Sequence, residues 1–137
     1  MSYYGPVSDA RIPPHPDPRD VPLQQVLEAL VDPVRRSILT QLAHAADDVK
    51  CGGFDLDVST STATHHFKVL REAGLIRQYY VGTSRMNSLR GDEVGKAFPG
   101  LLDAIVAAES GRRGQRRGTS SATTRSGRSA KRTPSVA

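Results

Sequence analysis

Cysteine is almost absent from this chain: Cys51 is the single one among 137 residues. One thiol excludes an internal disulfide and leaves no CxxC pair. Long hydrophobic runs are missing as well. The richest apolar stretch, LLDAIVAA at 101–108, carries Asp103 and falls far short of the roughly 20 residues that span a bilayer. With no signal-peptide pattern either, the chain reads as cytoplasmic with no membrane partner. There is no glycine-rich phosphate loop and no plausible nucleophile–base pair, and Cys51 has no activating neighbour in sequence. An enzyme is therefore not expected, and no cofactor is implied.

Acidic residues are missing from one whole segment. Residues 110–137 hold eight Lys or Arg, no Asp or Glu, and one large apolar residue, Val136. Such a segment cannot bury enough surface to offset chain entropy, so it reads as a disordered basic tail. Residues 1–20 contain five prolines and little apolar periodicity, and read as a flexible arm. That leaves 21–109 as the folded domain. Its nine Lys and Arg face eleven Asp and Glu, so the basic character of the chain comes from the tail. Within 65–90, however, Lys68, Arg71, Arg77, Arg85 and Arg90 stand against Glu72 alone. A basic face on an otherwise acidic domain suits a phosphate backbone.

What is present is helical punctuation. Asp20 with Pro22, and Asp32 with Pro33, predict helices near 21–31 and 33–46. Leu23, Val26, Leu27, Leu30 and Val31 repeat at helical spacing in the first; Val34, Ile38, Leu39 and Leu42 do so in the second, with Arg35 and Arg36 off the stripe. Residues 49–58 predict either a short strand or a single helical turn, because Gly52-Gly53 opposes a long helix. Ser59 or Ser61 then caps a helix with Ala63, Phe67 and Leu70 on its apolar side and Gly74 at its end. Ile76–Val81, the Gly82-Thr83 turn and Arg85–Leu89 predict a hairpin. A last helical pattern starts at Asp92, is interrupted by Pro99, and carries Phe98, Leu101, Leu102, Ile105 and Val106. This order predicts a mainly α fold with a small β-hairpin, a winged helix-turn-helix.

His65 and His66 lie about 100° apart around the third helix, so they cannot readily share a metal; helical pairs use i, i+3 or i, i+4. His66 falls beside the core and reads as packed. His65 falls in a row with Ser61, Thr64 and Lys68, small polar donors and a cation such as a helix presents to a major groove.

ALVDPVRRSILTQL at 29–42 and VSTSTATHHFKVLREAGLI at 58–76 resemble the ArsR family of bacterial transcriptional regulators. The resemblance implies a homodimeric winged-helix protein that binds a palindromic DNA operator, most often as a repressor released by a small effector. Helix 61–73 would be the recognition helix and 76–89 the wing. On that reading the DNA contacts are Ser59, Thr60, Ser61, Thr64, His65, Lys68, Arg71, Arg77, Thr83 and Arg85. Ser61, Thr64 and His65 would meet base edges; Lys68, Arg71 and Arg77 would meet phosphates; Arg85 would approach the minor groove. The dimer interface would draw on Val26, Leu30, Leu101, Leu102, Ile105 and Val106. Metal-sensing members carry paired cysteines in the helix-turn-helix or histidines on the last helix. This chain has VKCGGFDL in the first place, and Asp103 and Glu109 without His in the second, so no metal site is expected and the effector stays unidentified. Two alternatives remain open: a winged-helix protein-interaction module, and a regulator switched by oxidation of Cys51.

Overall fold

Proline and aspartate set the junction between the first two helices. The computed structural model describes residues 11–112. Helix α1 spans Leu23–Leu30 and α2 spans Pro33–His44. Asp32 caps α2, its carboxylate accepting from the Val34 and Arg35 amides at 2.8 and 3.2 Å. Pro33 takes the first turn, where a missing amide costs nothing. Asp20 does not cap α1: the residue before that helix is Pro22, with no side-chain cap. The capping acid nearby is Asp17, which accepts from the Arg19 amide at the head of a 3-10 turn, Pro18–Asp20.

The C-terminal end of α1 is closed from α2. A helix leaves its last carbonyls without intrahelical partners. Here Arg35 donates to the carbonyls of Ala29 (2.7 Å) and Glu28 (3.2 Å), and Arg36 donates to those of Leu30 and Val31, both at 2.9 Å. The two arginines off the apolar stripe thus bind α1 to α2. Arg36 Nε also pairs with Glu109 at 2.7 Å, which holds the last helix alongside.

A two-residue strand, β1 (Val49–Lys50), leads into a 3-10 turn, Cys51–Gly53. No full helix forms before α3 (Thr60–Glu72), as the glycine pair requires. Gly74 ends α3 at φ +80°, the left-handed position that glycine tolerates best. Strands β2 (Ile76–Val81) and β3 (Ser84–Leu89) pair antiparallel from Ile76↔Leu89 to Val81↔Ser84, turning at Gly82 with φ +63°. Val49 pairs with Asn87, giving a three-stranded sheet in the order β1-β3-β2. Helix α4 (Gly91–Ala97) follows, and a last helix, α5, runs over 101–112.

Ile38, Leu39, Leu70, Leu75, Ile76, Val26 and Val94 are fully buried at the centre, and Phe54 packs on Phe67 at 5.2 Å between ring centres. Each such side chain contributes about 1.5–3 kcal/mol relative to exposure, so the buried members of the stripes, Val26 and Leu30 in α1 and Ile38, Leu39 and Leu42 in α2, hold the helices together.

Two expectations change. Residues 11–20, taken with 1–10 as a free arm, lie along the domain: Pro18 is buried, and the Pro16 carbonyl accepts from Arg90 at 2.7 Å. Proline shortage of donors does not prevent docking when other residues supply the hydrogen bonds. Residues 1–10 and the tail beyond 112 lie outside the described residues. The second change concerns three apolar positions assigned to an interface. Val26, Leu30 and Leu102 belong to the chain's own core, at 0, 5 and 5% exposure. The open apolar residues of α1 are instead Leu23, Leu27 and Val31, at 52, 45 and 72%. Leu101, Ile105 and Val106 are half-buried.

Candidate nucleic-acid interface

Helix α3 presents two opposed faces. His66, Phe67, Leu70 and Arg71 are buried, while Thr60, Ser61, Thr64, His65 and Lys68 are exposed. Ser59 caps the helix, its hydroxyl accepting from the Thr62 amide at 3.2 Å, and so lies at the N-terminus with Ser61 Oγ 3.3 Å away. The Thr64 hydroxyl bonds back to the Thr60 carbonyl at 2.9 Å, and its oxygen can still accept a hydrogen bond. Hydroxyls, an imidazole and an ammonium therefore line one ridge, the chemistry that meets base edges and phosphates.

The ridge is held in place from beneath by His66. Arg35 donates to its Nδ1 at 3.0 Å, so the imidazole is neutral with its proton on Nε2. Burial lowers the His66 pKa below its ordinary value, and the Arg35 and His65 charges add to this against the opposing pull of Asp32. Asp32, the α2 cap, is held below the usual carboxylate range: burial pushes it up, but the Arg35 and Val34 amides and the neighbouring positive groups outweigh that. One cluster, Asp32–Arg35–His66, thus connects the start of α2, the end of α1 and the middle of α3. The two adjacent histidines rest 5.9 Å apart between ring centres and point different ways. Among the described residues no three His, Cys, Asp or Glu side chains gather as a metal site.

Arg71 departs from its expected role. It is 6% exposed and turns under the sheet, donating to Gln78 Oε1 at 2.7 Å; its Nε has no acceptor among the described residues. A side chain committed there does not reach a phosphate. Gln78 donates on to Asn87 Oδ1 at 2.9 Å, and Asn87 donates to the Val49 carbonyl and to Cys51 Sγ, at 3.1 and 3.3 Å. Buried polar groups cost free energy unless paired, and this chain of amides pairs nearly all of them.

The wing carries its own cations. Arg85 donates twice to the Tyr80 hydroxyl, at 3.2 and 2.9 Å. On the same ring, the Arg11 guanidinium carbon sits 3.8 Å from the centre, and Arg11 reaches the Gly82 carbonyl at 3.5 Å. Thr83 is exposed at the turn. Arg77 lies at the base of the wing, 3.4 Å from Glu93 and 35% exposed. Arg90 grips the same carboxylate at 2.8 Å, and its hydrogen bond, foremost, keeps Glu93 below its ordinary pKa. The structure therefore brings Ser59, Thr60, Ser61, Thr64, His65 and Lys68 onto one ridge and leaves Thr83 and Arg85 on the wing. Arg77 stands between them and Arg71 is inside. Sequence reasoning missed Arg35, whose place off the apolar stripe was the available signal, and Arg11, for which no local pattern existed.

A family model and several known proteins resemble this chain. Residues 32–78 match the family described as "Bacterial regulatory protein, arsR family", from the α2 cap through α3 into β2. A curated relative from Bacillus subtilis (strain 168), the "Uncharacterized HTH-type transcriptional regulator YceK", is 34% identical over 83 residues, covering 59% of this chain and 83% of that protein. Among solved structures, an ArsR-like transcriptional regulator from Rhodococcus sp. RHA1 is 26% identical with a TM-score of 0.48, over 75% of this chain and 92% of its own. Another ArsR family transcriptional regulator is 19% identical with a TM-score of 0.48, over 71% and 91% of the two chains. The matched span covers the helices and strand that carry the ridge, and the chain belongs to the arsR family, a family of DNA-binding transcriptional regulators rather than enzymes.

Proposed function

We propose that this regulator is an operator-binding repressor, acting as a homodimer and released by a small effector. The observation that carries the reading is the α3 ridge: Ser61, Thr64, His65 and Lys68 are all open on the side opposite buried Phe67 and Leu70. A helix with open apolar anchors would favour a protein-interaction module; this one offers hydrogen-bond donors and charge. Ser61, Thr64 and His65 read base edges, Lys68 and Arg77 hold phosphates, and Thr83 and Arg85 serve the wing. Two copies place two such helices in successive major grooves about 34 Å apart, which calls for a palindromic operator. Leu23, Leu27 and Val31, open on α1, are the apolar surface that a partner copy would cover, together with the half-buried Leu101, Ile105 and Val106 of α5.

The test is a gel shift with the DNA upstream of the protein's own gene, beside random DNA of equal length. Thr64→Ala and His65→Ala should each lose about 1–3 kcal/mol on the specific fragment and little on random DNA. Equal losses on both would remove them from base reading. Control through Cys51 is a second reading, favoured by one observation: Asn87 donates to Sγ, and Asn87 connects through Gln78 to Arg71 of α3. Loss of binding after peroxide treatment, absent in Cys51→Ser, would support it.

A further inference from the structure

Resting on the reading of α3 and the wing as the DNA-binding face, we propose that residues 15–18 brace the elbow between them and that His15 is a positioning residue for DNA binding. The elbow is Gly74, whose φ of +80° turns the chain from α3 into β2. A helix and a hairpin joined there grip a duplex together at least cost when the angle between them is fixed beforehand. Three contacts from the segment before α1 fix it. Pro18 is fully buried and lies on the elbow itself, where a Cβ on Gly74 would stand 3.3 Å from the Pro18 Cα. The Pro16 carbonyl accepts from Arg90, just past β3, at 2.7 Å. Arg90 also grips Glu93 of α4 at 2.9 and 2.8 Å, and its amide donates to the Leu75 carbonyl beside the elbow at 3.0 Å. His15 Nε2 accepts from the Gln78 amide of β2 at 2.9 Å.

Gln78 is therefore held from two sides. Its side-chain oxygen accepts from Arg71 of α3 at 2.7 Å, inside the domain. Its backbone amide belongs to β2, an outer strand in the order β1-β3-β2, and is taken by His15 from outside. The inner contact ties the base of the wing to α3, and the outer one ties it to the segment that covers the elbow. The His15 ring accepts only while Nε2 carries no proton. Burial, then the charges of Arg90, Arg71 and Arg77, lower its pKa to about 4 against the opposing charge of Glu93, so the acceptor persists at neutral pH. Pro14 and Pro16 flank His15 and restrict the backbone on both sides of it, so little conformational entropy is lost in presenting the ring.

A double-mutant cycle with Arg85→Ala, which removes the wing's own contact, tests the brace on the full-length chain and the DNA upstream of its gene. Binding is measured well below the melting temperature of each variant, with circular dichroism reporting the fold. His15→Ala should weaken binding about two- to tenfold, the range that one hydrogen bond spans. In the Arg85→Ala chain the same change should cost nothing further, because the two residues act through one contact. His15→Gln, whose amide oxygen replaces Nε2 as acceptor, should bind as the wild type does. A contact that only stabilises the fold would lower the melting temperature and leave the affinity of the folded chain alone. Unchanged affinity in His15→Ala, equal losses with and without Arg85, or a His15→Gln chain as weak as His15→Ala would each overturn the brace while the DNA-binding reading stands. An Arg85→Ala chain that binds as tightly as the wild type would remove the wing from that reading, and the brace with it.

Discussion

Replacing Arg35 with lysine keeps the charge and removes the fork. The guanidinium serves three acceptors on two elements: the Ala29 and Glu28 carbonyls of α1, and His66 Nδ1 of α3. A lysine ammonium on a flexible stem can satisfy one of them well. Two charge-assisted hydrogen bonds are then lost, each nominally about 1.5–3 kcal/mol. The site is only half-buried, and water replaces part of the loss, so a total of about 2 kcal/mol is expected. For a domain of this size each kcal/mol moves Tm by about 4–8 °C, which puts the fall near 8–16 °C. Thermal unfolding followed by circular dichroism at pH 7.5 measures it directly. Arg35→Met should fall at least as far, and a histidine titration by NMR should show the His66 pKa rising in that variant, because one of the charges that lowers it is gone. A lysine variant within 0.5 kcal/mol of wild type would refute the three-acceptor arrangement as the element that seats α3.

Acid should destabilise the fold before its carboxylates titrate. Burial, then the charges of Arg90, Arg71 and Arg77, lower His15 from 6.5 to about 4 against a small opposing effect of Glu93. A depressed histidine adds stability above its unfolded pKa and loses it as pH falls toward the folded one, so denaturant midpoints should drop between pH 6.5 and 4, and less so in His15→Ala. Gly74→Ala places a Cβ 3.3 Å from the Pro18 backbone at φ +80°; the left-handed conformation alone costs about 1–2 kcal/mol, and a Tm equal to wild type would contradict the geometry. For the proposed homodimer, Leu27→Asp should leave a monomer by light scattering with the monomer fold unchanged, whereas Leu102→Asp should unfold the chain, since that side chain is 5% exposed. Truncation after Arg112, which removes seven of the eight cations of 110–137, should flatten the salt dependence of DNA binding if that stretch engages phosphates.

Local signals carried much of the fold. Asp32-Pro33, Ser59 and Gly74 act through the backbone within a few residues, so their caps and stops were legible in order. The hairpin was legible because Gly82 supplies the turn between two β-prone runs. The outward ridge of α3 followed from helical period alone. What failed was anything set by distant partners. Periodicity places Val26, Leu30 and Leu102 on an apolar side but does not say which protein surface covers that side. Arg71 read as a cation on a basic stretch; only the return of β2 beneath α3 brings Gln78 to it and draws it inward. Asp20 lost the cap of α1 because Pro18 and Asp17 form their own turn first. The proline-rich opening read as loose because the donors that fasten it, the Gln78 amide and the Arg90 guanidinium, lie more than sixty residues away.

That fastening also bears on how the molecule avoids its own copies. A sheet border with free amides and carbonyls is a template for strand pairing between chains. One border here, β1, is only two residues long. The other, β2, reads IRQYYV, a β-prone run that ends in Val81 at 60% exposure, and its midpoint amide is already taken by His15. The stretch from Arg11 to Pro16 therefore works as a guard rail, and a shortened chain beginning at α1 would expose an adhesive strand. Its clumping on storage would come from a native sheet with an uncovered border, while the helices stayed folded.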